Sequence, residues 1–336
     1  MRRPLVVKLG SSLVVDEHGE PRRPLLGERA AEIAQIVGGG TPVCVISSGA
    51  IALGLRRLGL ERRPSSLPRL QAASALGQSA LQRAWQEAFD PHGLDAAQIL
   101  LTSAEIAERR AYVNVRSALA ALFALGSVPV VNENDATATD EISFGDNDAL
   151  AAQVAVLVRA RLLVLLTSVP GVLHGDRLIE DGALARTAAF GPGSELGRGG
   201  MESKVAAAEL AAGAGIPTVI AGDSPLGELL AGAGGTRFAA ADSAPAFKLW
   251  LRHGKRVRAR IDVDDGARRA VVASGASLLA VGVTGWSADF RAGDGVELAG
   301  PDGAVFARGI ASVDAGELDG RPANVEVVHR DRLVLV

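Results

Sequence analysis

Residues 162–166 read Leu162-Leu163-Val164-Leu165-Leu166, five apolar side chains with no polar residue at either parity. Successive strand residues point to opposite faces, so a strand apolar at every position must be covered on both sides. That is the mark of a parallel sheet flanked by helices. Comparable apolar runs precede it at Leu5-Val6-Val7, Val43 to Ile46, Gln98-Ile99-Leu100-Leu101 and Val128-Pro129-Val130-Val131, and one follows at Thr218-Val219-Ile220. Helical patterns separate them at Gly27 to Val37, Gly49 to Leu58, Leu67 to Phe89, Tyr112 to Leu125, Asp148 to Val158 and Ser203 to Ala212. This alternation predicts an α/β domain over residues 1–242, a mostly parallel sheet sandwiched by helices. Ligands of such sheets sit outside the carboxyl ends of the strands.

The pattern changes beyond residue 243. Residues 243–257 read as a basic linker within a run carrying Lys248, Arg252, Lys255, Arg256, Arg258 and Arg260. From 258 to 336 the helical pattern fades into short apolar segments broken by Gly and Asp, among them Ser277 to Val281, Gly295 to Leu298 and Val325 to Val328. A small β-rich, barrel-like domain is predicted there.

Composition narrows the function classes. The 336 residues are 48% hydrophobic and 22% charged, an ordinary globular balance with material for a real core. Aromatics at 4% argue against stacking platforms for single-stranded nucleic acid, and a net charge of -3 gives no reason to expect a polyanionic partner. Cys44 is the only cysteine, which excludes an intramolecular disulfide or a multi-cysteine zinc site, and its apolar surroundings make it a core residue. Arg2 and Arg3 before an apolar run imitate a signal peptide, but Lys8 interrupts the run and no small-residue cleavage pattern follows. No stretch approaches the roughly 18 to 20 apolar residues that span a membrane, so a cytosolic protein is expected.

Four segments carry chemistry. In Val7-Lys8-Leu9-Gly10-Ser11-Ser12 a strand leaves through a lysine into a turn whose N–H groups could hold phosphates, although Lys8 alone reads better as a solvated edge-strand charge. Ser47-Ser48-Gly49-Ala50 is another strand end entering a helix, open to simple N-capping by Ser48 or to carboxylate binding. Asn132-Glu133-Asn134-Asp135 and Gly145-Asp146-Asn147-Asp148 hold more Asn and Asp than a turn and a cap require. Gly197-Arg198-Gly199-Gly200-Met201-Glu202-Ser203-Lys204 puts glycines before a helix and a lysine in its first turn, where a cation is unfavourable unless an anion offsets it. The spacing matches neither the P-loop nor the dinucleotide fingerprint.

Taken in order, these segments resemble the signatures of the amino-acid kinase family, closest to the branch that phosphorylates glutamate. Leu76-Gly77-Gln78 and Gln98 to Thr102 also fit, and the C-terminal region resembles a PUA domain. The resemblance implies ATP-dependent phosphorylation of the glutamate side-chain carboxylate to γ-glutamyl phosphate, the first step of proline biosynthesis. By matched position, Lys8 and Lys204 would stabilise the transferred phosphoryl group and Asp148 would orient them. Ser48, Asp135 and Asn147 would bind glutamate, with Asp146 nearby and Asp135 facing the substrate ammonium. Lys8, Gly10, Ser11, Thr167, Ser168, Arg198, Gly199, Gly200, Met201 and Lys204 would contact the nucleotide. Mg²⁺ would bridge the phosphates without a protein metal site. Feedback inhibition by proline, handover to γ-glutamyl phosphate reductase and a homo-oligomer are further implications.

The sequence departs from that family at Thr167-Ser168, where Thr-Asp is usual and the following loop is longer. Arg198 also replaces a residue that is commonly small. The first change leaves nucleotide selectivity open; Arg198 either adds a phosphate contact or points into solvent. Competing readings are an acetylglutamate, aspartate or isopentenyl phosphate kinase, or RNA binding by the PUA-like domain. Residues 258–336 carry nine Arg against twelve Asp and Glu, a poor footprint for RNA, so a structural or regulatory role is favoured.

Overall fold

Seven strands of the N-terminal region join in one sheet, seen in a computed structural model. It describes residues 2–60, 62–102, 105, 106, 108–137, 147–190, 200–241, 251, 257–319 and 325–336. The elements run β1 (Leu5–Leu9), α1 (Ser11–Val14), α2 (Arg23–Gly38), β2 (Val43–Ser47), α3 (Ala50–Arg57), α4 (Leu67–Phe89), β3 (Ala96–Leu101) and α5 (Arg109–Ala124). They continue with β4 (Val128–Glu133), α6 (Asn147–Leu157), β5 (Leu162–Leu166), β6 (Leu173–His174), β7 (Arg177–Leu178), α7 (Gly182–Phe190), α8 (Met201–Gly213), β8 (Thr218–Ala221), α9 (Leu226–Ala231) and β9 (Thr236–Phe238). The sheet order is β3-β4-β2-β1-β5-β8-β9, parallel throughout except at β9, which runs antiparallel to β8. The chain divides into two compact units, Met1–Ser243 and Ala244–Val336.

The central apolar strands are covered on both faces, as their sequence requires, whereas the run at Gln98 to Leu101 is the edge strand β3, with Gln98 and Leu100 exposed. Every residue of β1, β2 and β5 is buried. Beneath them lies a cluster built from Leu5, Val7, Leu26, Ile33, Leu81 and Trp85. Cys44 is wholly buried, and burial pushes its thiol well up, so it is an inert core residue. Because β1 lies between β2 and β5, Lys8 is paired on both sides, with Ile46 and Leu165. The reading of Lys8 as a solvated edge-strand charge is thereby corrected: its side chain is 5% exposed.

Helix limits follow local chemistry. α2 begins at Arg23 rather than at Gly27, with Pro24 in its first turn, where the missing N–H is harmless. α3 and α4 touch backbone to backbone. A Cβ at Gly77 would fall 1.8 Å from the Ala50 carbonyl oxygen, and one at Gly54 would fall 1.7 Å from that of Ala73. This contact fixes the middle of α4 against the start of α3.

The sequence reading missed several elements. The segment after β5 contains the β6–β7 hairpin, and α7 follows it. The second unit also holds a helix, α10 (Asp265–Ser274), where the pattern pointed only to strands. Asp264 opens α10 by accepting from the Ala267 N–H at 2.7 Å. The remaining elements there are β10 (Val257–Val263), β11 (Leu278–Leu279), β12 (Val283–Trp286), β13 (Gly295–Ala299), β14 (Val305–Ala311) and β15 (Glu326–Leu335). They form a barrel-like sheet, ordered β11-β15-β14-β13-β10-β12, around Ile261, Val296, Leu298, Val327 and Val328. Most of the expected basic linker lies outside the described residues, Leu251 and Val257 excepted.

Candidate active site

The site gathers where β1, β2 and β4 end and α6 and α8 begin. Lys8, one residue before the end of β1, reaches Asp148 in the first turn of α6, with Nζ 2.6 Å from Oδ1. Lys204, the fourth residue of α8, places its Nζ 3.2 Å from Asp148 Oδ2 and 3.3 Å from the Gly200 carbonyl oxygen. Ser203 donates from Oγ to the same Oδ2 at 3.2 Å. All three charged side chains are buried. Burial alone would raise the Asp148 carboxyl, but the charges of Lys8 and Lys204 outweigh it and hold that carboxyl below its ordinary value. One carboxylate thus holds two ammonium groups, and the cluster keeps a net positive charge.

Glycines open the approach to both ammonium groups. A Cβ at Gly10 would lie 4.0 Å from Lys8 Nζ, and one at Gly200 would lie 3.7 Å from Lys204 Nζ. Gly200 caps α8 at φ 84, a left-handed conformation that glycine adopts without strain, and it offers no side-chain cap. A helix N-terminus of this kind favours an anion beside Lys204. This resolves the unfavourable position of a lysine in a first turn: Asp148 supplies one counter-charge, and a phosphate would supply the other.

The second half of the site is a hydrogen-bonded network. Asn147 donates from Nδ2 to Ser48 Oγ and to Asn132 Oδ1, each at 3.0 Å, and Asn147 Oδ1 accepts from the Glu133 N–H at 3.3 Å. Asn132 donates to Gln78 Oε1 at 2.8 Å. Ser74 donates to Asp135 Oδ2 at 2.6 Å. Burial pushes the Asp135 carboxyl above its ordinary value, against the opposing pull of the Ser74 hydrogen bond and the Arg63 charge. The capping role open to Ser48 is corrected: the N-cap of α3 is Gly49, at φ 114 with no side-chain cap, while Ser48 is bonded to Asn147.

The sequence-derived residues thus fall into two adjoining groups. Lys8, Asp148 and Lys204 form one; Ser48, Asp135 and Asn147 form the other. Gly10, Ser11, Thr167 and Ser168 follow the carboxyl ends of β1 and β5, adjacent strands, and Gly200 and Met201 open α8. Asp146, Arg198 and Gly199 lie outside the described residues. Sequence reading assigned no role to Ser74, Gln78 or Ser203. Ser74 and Gln78 had left a signal: they interrupt the buried stripe of α4, otherwise Leu70, Ala73, Gly77, Leu81, Ala84, Trp85 and Phe89. Polar residues inside a core stripe need partners, and here the partners are Asp135 and Asn132.

This site on this sheet defines a small-molecule phosphotransferase, and the comparisons with known proteins give its family. The amino acid kinase family matches residues 3–222, and the PUA domain matches residues 259–322. The chain is 42% identical over 358 residues to a protein named glutamate 5-kinase from Sphingopyxis alaskensis, covering 99% of this chain and 97% of that one. It is also 42% identical over 367 residues to a glutamate 5-kinase of Myxococcus xanthus, covering 99% and 96%. A solved carbamate kinase from Giardia shares the fold at a TM-score of 0.52 and 17% identity, over 71% of this chain and 99% of that one. The chain belongs to the amino acid kinase family and carries a C-terminal PUA domain.

Proposed function

We propose that this chain transfers the γ-phosphoryl group of ATP to the side-chain carboxylate of glutamate, as its 42% identical full-length relatives are named to do. The product is γ-glutamyl phosphate, the first intermediate of proline biosynthesis. The observation that carries the reading is Asp148 held between two buried lysine ammonium groups. A carboxylate is already ionised at neutral pH, so its oxygen attacks the γ-phosphorus without a general base. The bond to the β–γ bridging oxygen breaks, and ADP leaves with that oxygen's negative charge. Two anions must be aligned and the charge on the transferring group stabilised, and preorganised lysines serve both needs.

Mg²⁺ fits this donor set as a companion of the nucleotide. Both Asp148 oxygens are engaged by ammonium groups, so phosphate oxygens and water would supply its ligands. Gly10, Ser11, Thr167, Ser168, Arg198, Gly199, Gly200 and Met201 contact the nucleotide in this reading. Ser48, Asn147 and Asp135 hold glutamate, with Asp146 nearby.

A coupled assay of ADP release across glutamate, aspartate, N-acetylglutamate and isopentenyl phosphate tests the acceptor. Glutamate is expected to be preferred by orders of magnitude; a higher kcat/KM for any of the others would overturn it. The same reading implies proline feedback, transfer of the labile acyl phosphate to a reductase, self-association, a cytosolic location and a structural or regulatory role for the PUA unit. Among the described residues no helix is long and apolar enough to cross a membrane.

Asp135 gives a pH signature. It must be ionised to hold the substrate ammonium, and its carboxyl titrates above the ordinary value of about 4. As pH falls through that raised value the charge is lost, so kcat/KM for glutamate should drop with an acid limb displaced upward from a free carboxyl. In Asp135→Asn the overall value should be far lower and the limb absent. An unchanged limb in that variant would remove Asp135 from substrate binding.

A further inference from the structure

One unambiguous group sets the amide orientations around the substrate pocket. The Glu133 backbone N–H can only donate, so the Asn147 atom 3.3 Å away is Oδ1. The other end of Asn147 is then NH₂, which donates to Ser48 Oγ and to Asn132, each at 3.0 Å, and the Asn132 atom it meets is Oδ1. Asn132 therefore presents its own NH₂ to Gln78 at 2.8 Å, and the Gln78 atom that receives it is Oε1. The relay leaves Gln78 Nε2, on a residue 7% exposed, as a buried donor with no hydrogen-bond partner among the described residues. One turn earlier on α4, Ser74 occupies Asp135 Oδ2 at 2.6 Å, and Asp135 Oδ1 is a buried acceptor with no partner among them.

Unmet buried polar groups are rare, so two of them beside one face of α4 need a reason. Ser74 and Gln78 are four residues apart and so share one face of α4. A free donor on Gln78 and a free carboxylate oxygen on the Asp135 that Ser74 holds complement a carbon bearing both a carboxylate and an ammonium group. The glycine contact at Gly77 holds this stretch of α4 against the start of α3, whose N-cap follows Ser48 directly.

We infer that α4 reads the amino-acid head group of the substrate: Gln78 Nε2 donates to its α-carboxylate, while Ser74 positions Asp135 so that Oδ1 receives its α-ammonium. This rests on glutamate being the acceptor. Gln78 is then a substrate-binding residue and Ser74 a positioning residue. The pair rejects compounds that lack either charge, because each would leave a buried group unpaired.

The test compares kcat/KM for L-glutamate and for its α-amide, in which a neutral carboxamide replaces the α-carboxylate. Gln78→Glu keeps the oxygen that accepts from Asn132 and exchanges the free donor for an acceptor. It should lower the glutamate-to-amide preference at least about 100-fold, as exchanging a matched polar contact for a mismatched one does. Gln78→Met, neutral and similar in volume, should lower it at least tenfold, with the KM for ATP within twofold of wild type. Ser74→Ala should move the acid limb of kcat/KM to higher pH, and Ser74→Thr should restore it. A preference unchanged within twofold in both Gln78 variants would overturn the inference. A wild-type protein inactive on glutamate would instead defeat the functional reading beneath it.

Discussion

Lys204→Met should lower kcat at least about 10³-fold while leaving the protein folded. Removing one preorganised donor to a developing oxyanion costs about 10²–10³ in rate, and removing a cation that stabilises a transferring phosphoryl group about 10³–10⁵. Lys204 is a full charge at a helix N-terminus without a side-chain cap, so the larger range applies. Methionine fills a similar volume, and Asp148 keeps Lys8 at 2.6 Å and Ser203 at 3.2 Å, so no buried carboxylate is left unpaired. The loss should therefore appear in kcat with the glutamate KM little changed and the unfolding midpoint close to wild type. Steady-state kinetics with a parallel melt checks both. Activity within a few-fold of wild type would exclude Lys204 from the reaction.

Asp148→Asn should damage stability as well as rate. The substitution leaves Lys8 and Lys204 facing each other, buried, without their common counter-charge. Breaking a buried ion pair by removing one partner costs about 3–5 kcal/mol, and here two pairs share that partner. The effect should also depend on pH in a defined direction. The Asp148 carboxyl titrates lower in the folded protein than in the unfolded chain, so its contribution is complete above the ordinary value of about 4. It fades as pH falls through the lowered folded value. Denaturant unfolding of wild type and variant should thus show a stability gap at pH 7 that narrows in acid. A constant gap would mean that Asp148 is not the charged centre of the cluster.

These consequences were unequally legible in the residues. The fold could be read because Leu162 to Leu166 and its companions are apolar at both parities, which leaves few alternatives to a covered parallel sheet. Lys8 was ambiguous alone, since a strand-end lysine has the same sequence signature whether the strand is central or at an edge. Only the sheet order, with β1 between β2 and β5, decides it. The hairpin at Leu173 to Leu178 and the helix after Asp264 are short and locally polar, and their stability comes from packing rather than from periodicity. Gln78 was visible as a motif residue, yet its role depends on a chain of hydrogen bonds through Asn132 and Asn147, which are distant in sequence. Its polarity inside the apolar stripe of α4 was a local sign, but the partners it serves are set only by the fold.

The central claim is that the buried lysine pair moves phosphate onto a carboxylate, and the product of that step can be trapped. Wild-type protein incubated with glutamate, ATP, Mg²⁺ and hydroxylamine should form γ-glutamyl hydroxamate in step with ADP, and Lys204→Met should form almost none. Release of ADP without hydroxamate, or equal hydroxamate from the variant, would contradict the account.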